Sequence, residues 1–135
     1  MYKHVLVPIS FEEESFSVRA LDAAQVLANK GADITLLHVF EAIPAHAMGY
    51  LPENYATERR GAILSELKLM ASKLPNAVAR VVTGHASRAI LDFAAENGVD
   101  CIVVASNQPG MQDLLLGSTA ARVVRHARCA VHVLR

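Results

Sequence analysis

With 135 residues the chain has room for one ordinary core, so a single domain over residues 1–135 is expected. Hydrophobic residues make up 53% and charged ones 19%, which excludes a disordered chain. Thirteen basic residues offset 13 acidic ones, so the one-signed field that draws nucleic acid or anionic lipid is missing and neither is expected as a partner.

The longest charge-free stretch, Cys101 to Gln112, contains a proline and is shorter than the roughly 18 apolar residues of a membrane span. The start, Met1-Tyr2-Lys3-His4, lacks the zones of a secretory signal, and a cytoplasmic protein is expected. Cys101 and Cys129 each open an apolar run and read as small buried hydrophobes rather than as a disulfide or metal ligands.

Val5-Leu6-Val7, closed by Pro8, predicts a first strand buried on both faces. Ser10 stands three residues before Glu13, a capping pair for a first helix over about Ser10 to Lys30, with Gly31 as its left-handed stop. Ile34 to Phe40 reads as a second strand, and Glu41 to Pro52 as a loop. Ile63, Leu67, Met70 and Leu74 repeat at helical spacing until Pro75, a second helix. Ala77 to Thr83 is a third strand, and Ser87 to Asn97 a third helix stopped by Gly98. Val99 to Ala105 is a fourth strand, Gly117-Ser118 through about Ala127 a fourth helix, and Ala130 to Leu134 a last strand.

Five buried strands alternating with four helices predict an α/β fold, a three-layer, doubly wound parallel sheet. Such sheets bind ligands beyond the carboxyl ends of their strands, where the winding direction reverses. Small residues at Ala105 and Gly117 admit a ligand to the backbone, and Ser118 and Thr119 bring hydroxyls and amides to a helix start, a cradle for phosphate. The competing reading is that Ser118 only caps a helix and Gly117 only turns the chain.

Val103-Val104-Ala105-Ser106, Leu114-Leu115-Leu116-Gly117-Ser118-Thr119-Ala120-Ala121 and Val123-Val124-Arg125-His126-Ala127-Arg128-Cys129-Ala130-Val131 resemble the carboxy-terminal signature of the universal stress proteins. Lys3-His4-Val5-Leu6-Val7-Pro8, Leu36-Leu37-His38-Val39 and Gly84 extend the resemblance over the whole chain, nearest to the short single-domain bacterial branch. It implies a Rossmann-like, adenine nucleotide alpha hydrolase-like sheet in the order 3-2-1-4-5, and a homodimer, which the edge position of the strand at 130–134 with Val131 and Val133 also favours. In one large branch it implies an adenine nucleotide, ATP or another, with or without Mg2+.

Carried onto this chain, the nucleotide motif places its closing pair on Gly117 and Ser118, its first glycine on Ala105 and its second on Gln108, in a loop one residue shorter than the full pattern. The resemblance adds Pro8, Ser10 and Val39 on the adenine side, Val39 through its main chain, and Asn107 and Gln108 on the phosphate side, beside Thr119. Where the family usually has Asp after the first strand this chain has Ser10, and where proline-bearing relatives show His and Arg it has Asn107 and Gln108. Each lost charged hydrogen bond is worth about 1.5 to 3 kcal/mol.

No residue near the implied phosphates is an evident general base or metal carboxylate, so turnover beyond slow ATP hydrolysis is not expected. His4, His38, His126 and His132 read as structural; His85 could approach a ligand, and His46, Met48 and Tyr50 could form a lid. The expected function is a stress-response, nucleotide-binding regulatory dimer acting on an unidentified protein partner. The alternative is an interaction module of the same fold that has shed its ligand and acts through its surface.

Overall fold

The computed structural model describes residues 1–11, 14–106 and 117–135, without the side chains of Glu14 and Ser15. In chain order the elements are β1 (Tyr2–Pro8), α1 (Glu14–Leu27), β2 (Ala28–Phe40), α2 (Ala45–Met48), α3 (Tyr55–Ala71), β3 (Ala77–Thr83), α4 (Ala86–Glu96), β4 (Cys101–Ala105), α5 (Ser118–His126) and β5 (Ala130–Leu134). Every strand pairing is parallel, in the order β3-β2-β1-β4-β5 that the family resemblance implies.

The uniform apolar runs of the central strands follow from burial on two faces. Val5, Val7, Ile34, Leu36, Cys101 and Val103 point to one side, where Ala20 and Ala24 of α1 and Ile63, Leu67 and Ala71 of α3 cover them. Leu6, Leu37, Ile102 and Val104 point to the other, beneath Ile90 and Ala94 of α4 and Ala120 and Val123 of α5. The strand period of two thus divides one apolar run between two cores. In β5, Val131 and Val133 pack toward the second core and Ala130 and Leu134 toward the first, so these valines support the helix layer rather than lie open on a sheet face.

Several boundaries differ from expectation. The first helix ends at Leu27, because Ala28 already pairs with Tyr2 of β1. The register then jumps to His4 opposite Asp33, so residues 29–32 bulge out, and Gly31 at φ +81° turns that bulge instead of ending the helix. The Ser10–Glu13 capping pair reaches residues outside the described ones. The expected loop at 41–52 contains the single turn α2. The helix before Pro75 stops at Ala71, and Leu74 reaches the core through a tighter turn in which its amide donates to Ala71 O at 3.0 Å.

Gly98, at φ +66°, stops α4 as expected, with the Val99 amide returning to Ala94 O at 3.1 Å. That bond occupies Val99, so β4 begins at Cys101. No helix among the described residues is long and apolar enough to cross a membrane.

Candidate functional site

β1 lies between β2 and β4, and the chain fills one side of the sheet before crossing to the other. At that reversal, beyond the carboxyl ends of the strands, opens a cleft of about 490 Å³, within the range of small-molecule sites. Pro8, Ser10, Val39, Ala105, Gly117, Ser118 and Thr119, all named from the sequence, line it together. Asn107 and Gln108 lie outside the described residues.

Each wall has a backbone cause. Ile9 donates its amide to Leu37 O at 2.8 Å, which fixes the side of β2 that faces β1. Main-chain groups of a parallel strand alternate sides, so Val39, two residues on, turns its amide and carbonyl toward the space beyond the end of β1. The neighbouring residue confirms the phase, since Phe40 O accepts from Gly84 on the β3 side at 3.1 Å.

On the far wall Gly117 donates to Ser106 O at 3.1 Å, and Ser106 donates to Leu134 O at 2.7 Å. Ser106 and Gly117 are thereby tied together beside β5. Gly117 is the N-cap of α5, in an extended conformation (φ −61°, ψ 159°), and among the described residues no side chain caps the helix. Ser118 is its first helical residue, so the reading in which Ser118 merely caps α5 does not hold. The first-turn amides of Ser118, Thr119 and Ala120, which have no intrahelical acceptors, begin at the cleft wall.

Phe16, Ser17, His38, Glu41, Ala86 and Ile90, which no sequence pattern singled out for a site, also line the cleft. Phe16 and Ile90 supply apolar wall from α1 and α4, and the Arg19 guanidinium sits 5.3 Å from the Phe16 ring centroid. His38 donates from Nδ1 to Ile9 O at 2.8 Å, and its ring lies 5.3 Å from that of Phe11, so it clamps the turn that carries Ser10. Its position beside Val39 at the end of a strand was the available signal. His85 caps no amide of α4, and Ser87 Oγ lies 3.3 Å from its Nδ1. His46, Met48 and Tyr50 do not line the cleft, and Tyr50 is 90% exposed.

Among the described residues no group of three His, Cys, Asp or Glu side chains could hold a metal ion. Both cysteines are free thiols, and burial pushes Cys101 up to about 11, with smaller contributions from Cys129 and Asp100.

The profile of the universal stress protein family matches residues 1–135. Universal stress protein YxiE of Bacillus subtilis is 31% identical over 150 residues, with all of both chains covered. Among solved structures, a universal stress protein in complex with cAMP superposes with a TM-score of 0.72 at 24% identity, over 99% of this chain and 97% of that one. The universal stress protein of Archaeoglobus fulgidus in complex with dAMP superposes with a TM-score of 0.66 at 16% identity, over 99% and 98%. The structural likenesses speak for the fold alone, but the profile and the relative each run the full length of the sequence, and on that ground the chain belongs to the universal stress protein family.

Proposed function

We propose that the cleft holds an adenine nucleotide and that the protein is a regulatory one in a stress response, working through binding and release rather than turnover. The observation that carries this is the meeting of two complementary main-chain walls across one cavity. Val39 offers an amide and a carbonyl suited to a base edge, and the uncapped start of α5 at Ser118 offers amides suited to a phosphate. Neither wall depends on side-chain identity, so both survive the replacement of the usual charged groups by Ser10, Asn107 and Gln108. The cAMP and dAMP complexes of proteins with this fold support the ligand class.

Glu41 is the one carboxylate among the described lining residues, so Mg2+ would rest on a nucleotide's own phosphates. We place the homodimer contact at the free edge of β5 and the cytoplasm as its compartment.

Isothermal titration with AMP, ADP, ATP and cyclic AMP tests the reading. Saturable binding below millimolar concentration by one of them is expected. Flat titrations with all four, on folded protein, would favour the interaction module that has lost its ligand.

A further inference from the structure

At the end of the sheet away from β5, no strand among the described residues pairs with the outer side of β3. Three bonds fix which of its main-chain groups are left there. Asn76 O accepts from Ile34 at 3.1 Å and the Gly84 amide donates to Phe40 O at 3.1 Å, so the even-numbered residues of β3 face β2. Arg60 of α3 donates to Val81 O at 3.4 Å from outside, so the odd-numbered residues face away. Ala77 and Ala79 thus turn their amides and carbonyls outward, beside the Val81 carbonyl that Arg60 occupies.

A groove of about 380 Å³ runs along this edge. Ala71, Ala77 and Ala79 line it with small side chains, which leave room for the larger apolar groups of an incoming strand. Strand alternation puts Arg80 on the opposite face from Ala79, and Lys68 reaches the groove from α3; both are exposed. The edge is therefore flanked by a cation on each face of the sheet, with Arg60 further along. The α3 carboxylates are turned elsewhere: Glu58 accepts from Asn54 Nδ2 at 2.5 Å, and Glu66 lies about 160° around the helix from Lys68. Asp33 precedes Ile34, the partner of Ala77, and so lies at the foot of the edge. We propose that the β3 edge takes an extended acidic segment of a partner protein as an added strand. Its main chain pairs with Ala77 and Ala79, its apolar side chains enter the groove and its carboxylates meet Arg80 and Lys68. A second copy of β3 fits less well, because antiparallel pairing about Ala79 sets Arg80 near its own image on one face.

The probe is the fluorescein-labelled peptide Glu-Val-Glu-Val-Glu-Val, titrated with the full chain and followed by anisotropy. Saturable binding is expected, at least about tenfold tighter than that of Lys-Val-Lys-Val-Lys-Val and weakened by salt. Arg80→Glu should reverse that preference. Ala79→Pro removes an outward amide and no bond to β2, a change that an edge strand tolerates, and should weaken binding at least about tenfold at an unchanged melting temperature. N-methylation of the probe at alternate residues needs no variant protein. One set of methyl groups should abolish binding and the other leave it within about threefold. Indifference to Ala79→Pro and to both methyl sets would reduce the site to a charged patch and overturn strand addition. Dimers seen by light scattering and lost in Ala79→Pro would assign the edge to a second copy, which also overturns the proposal. So would the absence of saturable binding by the acidic probe.

Discussion

Asp100 and His4 are locked by a reciprocal pair of bonds: the His4 amide donates to Asp100 Oδ1 at 2.9 Å, and the Asp100 amide donates to His4 O at 3.1 Å. The second carboxylate oxygen takes the Lys3 amide at 2.9 Å. The His4 ring spans to Asn97 O at 3.0 Å and Thr35 Oγ1 at 2.8 Å, joining β1, β2 and the turn after α4. Because Asn97 O can only accept, Nδ1 carries the proton in the neutral ring, and Nε2 accepts from the Thr35 hydroxyl. This network sets the register at the amino ends of the strands, opposite the cleft.

Asp100 ties acid stability to that register. Burial pushes its carboxyl up, but the amides of Lys3, His4 and Asp100 itself, with the charge of His4, outweigh burial and hold it below the ordinary 3.8. A carboxyl depressed on folding stabilises the protein fully above its unfolded value, and the stabilisation drains away as pH falls through the folded one. Asp100→Asn leaves one amide facing a donor and is expected to cost about 1 to 2 kcal/mol at neutral pH. In urea melts the gap to wild type should stay constant from about pH 8 to about pH 5 and shrink below about pH 4. A gap that widened in acid would contradict this account.

Ser118→Pro isolates the helix amides from the rest of the cleft. Proline is accepted at a first helical position, and Gly117 already has the extended backbone that a residue before proline requires. The substitution removes one amide and leaves the fold in place. A melting temperature within about 2 °C of wild type is expected, together with a roughly tenfold loss of nucleotide affinity by titration. Unchanged affinity would remove α5 from the binding account.

Ala105 ends β4 with its side chain exposed on the cleft wall. Ala105→Trp fills that space without disturbing the core, so binding of every adenine ligand should fall by at least about tenfold while the urea midpoint stays put. Loss of affinity for ATP alone would mean that the adenine lies elsewhere.

Burial on two faces made most of this fold legible from residue order, since Val5-Leu6-Val7 and Ile102-Val103-Val104 can be accommodated only between two helix layers. The lining of the cleft was legible from small residues, a helix start and chain reversal at Ala105 and Gly117-Ser118, and through the family resemblance at Val39. What escaped depends on tertiary pairing. The bulge at 29–32 arises from the Tyr2–Ala28 pairing, and no local pattern separates Gly31 as a helix stop from Gly31 as a bulge. Phe16 and Ile90 read as ordinary core positions on their helices, and only the docking of α1 and α4 leaves their outer ends on the cleft.

The two thiols should differ in reactivity. Cys101 is buried in the first core and Cys129 is half-buried against the second, on opposite faces of the sheet. Burial raises both, and Cys101 to about 11. The thiolate is the reactive form, so at about pH 8 an aromatic disulfide reagent should label Cys129 slowly and Cys101 only after unfolding. No intramolecular disulfide should form under mild oxidation. Rapid labelling of Cys101 in the native protein would show that β4 opens locally.

His38 positions the turn that carries Ser10, and its two contacts can be separated. The Nδ1–H bond to Ile9 O holds the main chain, while the ring packs on Phe11. His38→Ala loses both and should weaken nucleotide binding about three- to tenfold with about 1 kcal/mol of stability. His38→Asn can place its amide nitrogen where Nδ1 stood, restoring the bond without the ring. If the bond does the positioning, His38→Asn should recover most of the affinity while remaining less stable than wild type. If the two variants bind equally weakly, the ring contact with Phe11 is what fixes the turn, and Phe11→Leu should then reproduce the loss in the presence of an intact His38.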